Sequence, residues 1–187
     1  GTLAALGLSR PHMPYKGLIM AILISPMIVP LIITAAGMFF FYARINLVYT
    51  FTGVILAHVA LATPFVVITV TATLVGFDMN MVKAAQSLGA KPIRTFFKVI
   101  MPLILPGIIS GALFAFITSF DEVVVVMFMA SIDQLTIPKQ MWAGIRQEIS
   151  PVILCMATCL VLLSIFLLTT VELLRRRSEK LRGIKAR

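Results

Sequence analysis

Apolar residues fill this chain in blocks, with short polar stretches between them. A membrane-spanning helix needs about 20 mostly apolar residues. Four runs meet that length: 17–43, 48–76, 106–131 and 149–174. Residues 1–8 (GTLAALGL) are apolar as well. With no basic leader ahead of them, they are expected to be the end of a further membrane helix rather than a signal peptide, and the chain to be a fragment. The connections are then 9–16, 44–47, 77–105 and 132–148, followed by a tail at 175–187. The pattern predicts an all-α integral membrane protein, a polytopic helical bundle in a single domain.

Composition removes the competing classes. Of 187 residues, 60% are apolar and 12% charged, and the mean hydropathy is +1.05. A soluble chain of this size cannot bury that much apolar surface. This excludes a soluble enzyme, a nucleic-acid-binding domain and a disordered tail. The net charge of +9 is a matter of topology. Arg10 and Lys16 lie in the first connection. Lys83, Lys91, Arg94 and Lys98 lie in the third. Arg175, Arg176, Arg177, Lys180, Arg182, Lys185 and Arg187 lie in the tail. Alternate crossings place all of these on one side, and only Arg44, Lys139 and Arg146 on the other. Basic loops stay in the cytoplasm, so the connections 9–16 and 77–105 and the C-terminus are expected there, next to anionic lipid headgroups. Nucleic acid is not an expected partner.

Helix breakers interrupt the spans. Pro26, Pro30 and Pro64 read either as packing kinks or as hinges of a moving pathway. Gly107 and Gly111 form a G-x-x-x-G that permits close helix contact.

The connection 77–105 is longer than a passive bundle needs. Asp78 is a plausible N-cap for a short helix over 79–88 that ends at Gly89. Pro92 fits the first turn of a second helix over 92–100, closed by Pro102. Ile93, Phe96, Phe97 and Ile100 make its apolar face, away from Lys91, Arg94 and Lys98. The result is a helical elbow, with Ala84, Ala85 and Gly89 small enough for another surface to approach. An interfacial, membrane-hugging helix is the alternative.

The run KAAQSLGAKPIRTFFKVIMP resembles the EAA loop of ABC-transporter permeases of the binding-protein-dependent import type. Lys83-Ala84-Ala85, three residues, Gly89, nine residues, then Val99-x-Met101-Pro102 reproduce the motif spacing. Val99 and Met101 are mild replacements, whereas Lys83 stands where the family has Glu and reverses a charge. The resemblance implies that Lys83, Ala84, Ala85, Gly89 and Pro102 dock on a separate ATPase, and it predicts a compensating acidic residue there.

Further residues resemble the polyamine (spermidine/putrescine) branch. They are Gly1–Ala5, the Pro26…Pro30 pair, Ser119-Phe120-Asp121-Glu122 with the valines that follow, and Thr136-Ile137-Pro138 through Ser150-Pro151. The branch implies a type I importer permease of six helices, the first and most of the second lying outside this sequence. It also implies a bacterial inner-membrane location and three kinds of partner: an ATPase dimer, a second and different permease chain, and a periplasmic or lipoprotein binding protein.

Asp121 and Glu122 fall in the middle of the 106–131 run, where an acidic side chain costs roughly 2.5–3.5 kcal/mol unless it faces a cavity or a partner. One of them, Asp121 before Glu122, is expected to line a pathway for a cation. Thr118, one turn earlier, can hydrogen-bond either, and Ser119 belongs to the same motif. A structural pair facing the second permease is the alternative. The connection 132–148 carries Pro138 and a helical pattern. Met141, Trp142, Ile145 and Ile149 form its apolar stripe, and Lys139, Gln140, Arg146, Gln147 and Glu148 its polar face. It resembles a short periplasmic gate helix with Trp142 and Arg146 at the gate; a plain interfacial anchor is the alternative. His12 is expected to be solvated, and His58 to pack or hydrogen-bond. Cys155 and Cys159 read as small packing residues, not metal ligands.

The leading class is therefore the permease subunit of an ABC importer. The chain has no G-x-x-x-x-G-K-[ST], so ATP and magnesium belong to the partner ATPase, and no catalytic set, metal or cofactor is expected on this chain. An ion-coupled transporter or channel would need an ion relay and often an inverted repeat. An intramembrane protease would need a Ser–His pair or facing aspartates. Neither set is evident.

Overall fold

Segments this apolar cannot leave backbone N–H and C=O groups unpaired in hydrocarbon, and a helix pairs them within the segment. The computed structural model describes residues 1–10, 12–75, 77–78, 80–147 and 151–181, and these are helical with no strand. In chain order the helices are α1 (Thr2–Leu8), α2 (Lys16–Ile28), α3 (Leu31–Arg44), α4 (Phe51–Val75), α5 (Asn80–Ser87) and α6 (Pro92–Thr95). A π turn (Phe96–Ile100) leads into α7 (Met101–Phe120), followed by α8 (Val124–Met129), α9 (Ile137–Gln147) and α10 (Pro151–Leu181). Among the described residues, three helical stretches are long and apolar enough to cross a membrane: Phe51–Val75, Pro92–Phe120 and Pro151–Thr170. The bent pair α2 and α3 makes a fourth if counted as one span.

The centre of the fold is the antiparallel pair α4 and α7. A Cβ on Gly107 would strike the Thr73 hydroxyl and the Thr69 carbonyl. One on Gly111 would lie 2.9 Å from the Val66 Cα. The G-x-x-x-G is thus used to bring two backbones together. Thr69 and Thr73 donate to carbonyls of their own helix, Phe65 and Thr69, so their hydroxyls are satisfied at the contact. At the opposite end of the pair, His58 Nδ1 and Ser119 Oγ share a 2.7 Å hydrogen bond.

Two apolar clusters flank this pair. Ala5, Val70 and Ile104 join α1, α4 and α7 at the end that carries the elbow. Ala35, Ala57, Leu61, Val125 and Met129 join α3, α4 and α8 at the far end. The spanning part of α10 buries none of its residues and exposes Leu154, Val161, Leu162 and Phe166. Cys155 and Cys159 are free thiols on that exposed surface, not the packing residues expected.

Three boundaries differ from the sequence pattern. The run 17–43 is not one helix but two, bent by 110°. Pro30 has no N–H and holds the preceding Val29 extended at φ −72°, ψ 137°, which ends α2. Pro26 lies inside α2 without a break, because the Ser25 hydroxyl takes the Ile22 carbonyl that the proline leaves unpaired (2.8 Å).

The second elbow helix is not closed by Pro102. It continues through the π turn into α7, with Pro102 in the first turn, where an N–H is not needed. The π turn adds backbone length and splits the expected apolar face. Ile93 and Phe97 stay exposed, whereas Ile100 packs on the Ala5–Val70–Ile104 cluster.

The run 106–131 is also divided. α7 ends at Phe120, Asp121 adopts φ −91°, ψ 0°, and α8 starts three residues later. Glu122 drives this break. Its buried carboxylate accepts the Val125 N–H at 2.7 Å, in the manner of a helix cap. The expectation that Asp121 and Glu122 sit inside one continuous helix is therefore corrected.

Replacing Gly111 by Val should destabilise the assembled complex by about 1–3 kcal/mol, the usual range for overpacking. Gly37→Val, where nothing lies within 4 Å, should leave the melting temperature unchanged. Glu122→Ala should cost about 0.5–2 kcal/mol through loss of the cap. Glu122→Gln, which keeps the accepting oxygen, should melt close to wild type.

Candidate translocation site and elbow

The elbow is built by two short helices at one end of the α4–α7 pair. Asp78 Oδ1 accepts the Asn80 N–H at 2.9 Å and starts α5, the cap the sequence calls for. Gly89 ends it at φ +80°, in the left-handed region that glycine enters without strain. Lys91 precedes Pro92, which opens α6. Lys83, Ala84, Gly89 and Pro102 are exposed and Ala85 is half-buried. Leu88 is 88% and Ile93 74% exposed, so an apolar patch stands open beside the small residues.

The other candidate lies at the far end. A partly open cavity of about 490 Å³ lies between α7, α9 and α10. Among the described residues that line it, Asp121 is the one that carries a charge. The Phe116 and Phe120 rings stack with centroids 5.3 Å apart and share the wall with Trp142. The sequence placed Asp121 in a pathway and Trp142 on a gate helix, as separate features. The fold brings both onto the wall of one chamber, with α9 packed on α10 and α10 packed on α7. A carboxylate beside aromatic faces in an otherwise apolar wall suits an organic cation, whose ammonium pairs with the acid and the rings while its methylenes contact the apolar wall.

The other expected residues disperse. Glu122 points inward as the α8 cap and does not line this cavity. Ser119 faces a second cavity of about 360 Å³ across α7, together with His58 and Thr136. Thr118 lines neither. Arg146 is exposed on α9 and also stands outside the chamber. Glu148 and Ile149 lie outside the described residues. His12 is exposed, and no group of three metal-binding side chains occurs among the described residues. The His58–Ser119 bond was not evident as a pair, since 61 residues separate them and only antiparallel packing aligns them. Lys139, read as part of the polar face of this helix, turns its ammonium onto the carbonyls of Ala130, Ser131 and Gln134 in the turn before α9.

Comparison with known proteins agrees with this architecture. The spermidine/putrescine transport system permease protein PotC of Haemophilus influenzae is 30% identical over 179 residues, covering 96% of this chain and 70% of the relative. The protein of the same name from Escherichia coli K12 is 29% identical over 180 residues, covering 96% and 68%. The putrescine transport system permease protein PotI of Escherichia coli K12 is 36% identical over 103 residues, covering 55% and 37%. Residues 1–180 match the family described as binding-protein-dependent transport system inner membrane component. The apolar helices, the exposed elbow and this match converge on one conclusion: the chain belongs to that family and is a multi-pass permease subunit of an ABC importer of the inner membrane, not an enzyme.

Proposed function

We propose that this subunit carries polyamines, spermidine and putrescine, or another small organic cation, through the chamber bounded by α7, α9 and α10. The observation that carries the reading is the meeting of Asp121, Trp142, Phe116 and Phe120 on one wall. The relatives named for spermidine/putrescine transport support the substrate class. Asp121 supplies the attraction for an ammonium group, and the aromatic faces add cation–π contact. Ser119 faces the neighbouring cavity across α7 with His58 and Thr136, and Thr118 lines neither cavity, so neither is assigned a contact with the cation in this chamber. Trp142 and Arg146 on α9 form the periplasmic gate that meets a soluble or lipid-anchored binding protein.

The elbow is the coupling element of the same machine. Lys83, Ala84, Ala85 and Gly89 present a small-residue surface flanked by exposed Leu88 and Ile93, and Pro102 opens the helix that leaves it. An ATPase dimer holding ATP and magnesium docks here and moves the elbow as it closes, with an acidic residue facing Lys83. A homologous but different permease chain completes the pathway. The elbow and the basic C-terminal tail lie in the cytoplasm, against anionic lipid.

Two measurements on the reconstituted transporter, with its binding protein, second permease and ATPase, test these roles. Asp121→Asn should raise the KM for putrescine uptake about tenfold or more, the scale of a lost charge-assisted hydrogen bond. An unchanged KM would remove Asp121 from the path. In a chain with Cys155 and Cys159 replaced by Ser, Ala85→Cys should crosslink to the ATPase, and ATP should change the yield. An intact complex that gives no crosslink refutes the docking role of the elbow.

A further inference from the structure

The Lys139 ammonium has no carboxylate partner among the described residues. It donates instead to three backbone carbonyls, Ser131 at 2.8 Å, Ala130 at 3.4 Å and Gln134 at 3.4 Å. An ammonium has three hydrogens to give, and this turn accepts all three. The same turn is braced from within. Gln134 is buried, and its Oε1 accepts the Ser131 N–H at 3.0 Å. Its Nε2 donates to the Tyr49 carbonyl at 3.2 Å, 85 residues away in sequence. The Tyr49 N–H donates to the Met129 carbonyl at 2.9 Å.

Tyr49 belongs to the corner between α3 and α4, and it holds φ 63°, as Asn46 holds φ 55°. Non-glycine residues enter this region at a cost and stay there only where their surroundings compel them. The corner is also pressed onto α4: a Cβ on Gly53 would collide with the Leu47 carbonyl. Lys139, the 130–134 turn, Gln134 and Tyr49 are therefore one connected unit. It holds the start of α9, which carries Pro138, Met141, Trp142 and Ile145 on the chamber wall. Among the described residues, Thr136 Oγ1 also accepts the Lys139 N–H at 3.3 Å, and Gly144 lies against Ile153 of α10.

We propose that Lys139 is a positioning residue: its charge, held in a cage of three carbonyls, locks α9 to the α3–α4 corner and so fixes the wall of the chamber that faces Asp121. The consequence for transport rests on the chamber being the substrate path. The lock itself does not.

The test uses the complete transporter in proteoliposomes, with Cys155 and Cys159 replaced by Ser. Spin labels at exposed Thr52 and Gln140 report the distance between the start of α4 and α9. Lys139→Met keeps most of the unbranched stem and removes the ammonium with its charge and three donors, and it should broaden that distance distribution. In a separate preparation, Lys139→Cys should raise the KM for putrescine about tenfold with the maximal rate within about twofold of the parent. Treatment with bromoethylamine rebuilds a lysine-length ammonium and should restore the KM. Iodoacetamide, which adds a neutral group of similar length, should not. A distribution unchanged by Lys139→Met overturns the proposal, as does equal restoration by iodoacetamide, which would reduce the role to packing. A broadened distribution with an unchanged KM upholds the lock and takes the chamber off the substrate path.

Discussion

Everything else in this subunit is arranged around how closely α4 approaches α7. Lipid tails are as apolar as leucine, so helices in a bilayer gain little from apolar contact as such. They gain from close packing, which requires the absence of side chains at the contact. Gly107 and Gly111 supply that absence against Thr69, Thr73 and Val66. The approach sets the register that brings His58 to Ser119 at the other end of the pair. It also positions α1 and the start of α7 around Ile104, and α3 and α8 around Ala57 and Leu61.

The remaining shape comes from places where the helical ladder is interrupted and then repaired. Pro30 turns the chain by 110° between α2 and α3. The Ser25 hydroxyl takes over the carbonyl freed by Pro26. The π turn carries the elbow into α7 without a break. Glu122 restarts the helix after Asp121. In each case a polar side chain or an altered turn takes up backbone groups that hydrocarbon cannot solvate. These repairs also create the functional geometry. Because α7 ends at Asp121, that carboxylate stands free at a helix end, in the chamber, while its neighbour is consumed as a cap.

The elbow and the chamber are the two ends of one rod. The stretch Pro92–Phe120 runs continuously from the exposed α6 to the residue before Asp121, a 29-residue helix roughly 40 Å long. A rod of that kind transmits a displacement at one end to the other without an intervening loop. This gives the coupling reading a mechanical basis.

The sequence by itself determined the class of the molecule. Apolar runs of spanning length, basic connections on alternate sides, and the spaced Ala84-Ala85…Gly89…Pro102 pattern are local features, readable without a partner segment. Asp78 as a cap and Gly89 as a helix end were legible for the same reason: each acts within a few residues of itself. The tertiary structure decided what depended on contacts distant in sequence. No periodicity separates Asp121 from Glu122, since both are acids in an apolar run; the turn in the chain sends one into the chamber and the other to the Val125 amide. Asp121 and Trp142 share a wall only because α10 packs on both α7 and α9. Lys139 read as one more residue of a polar face because a surface lysine and a caged one have the same sequence pattern. Only the folded backbone gathers three carbonyls around its ammonium, and backbone carbonyls leave no trace in the identity of the residues that carry them.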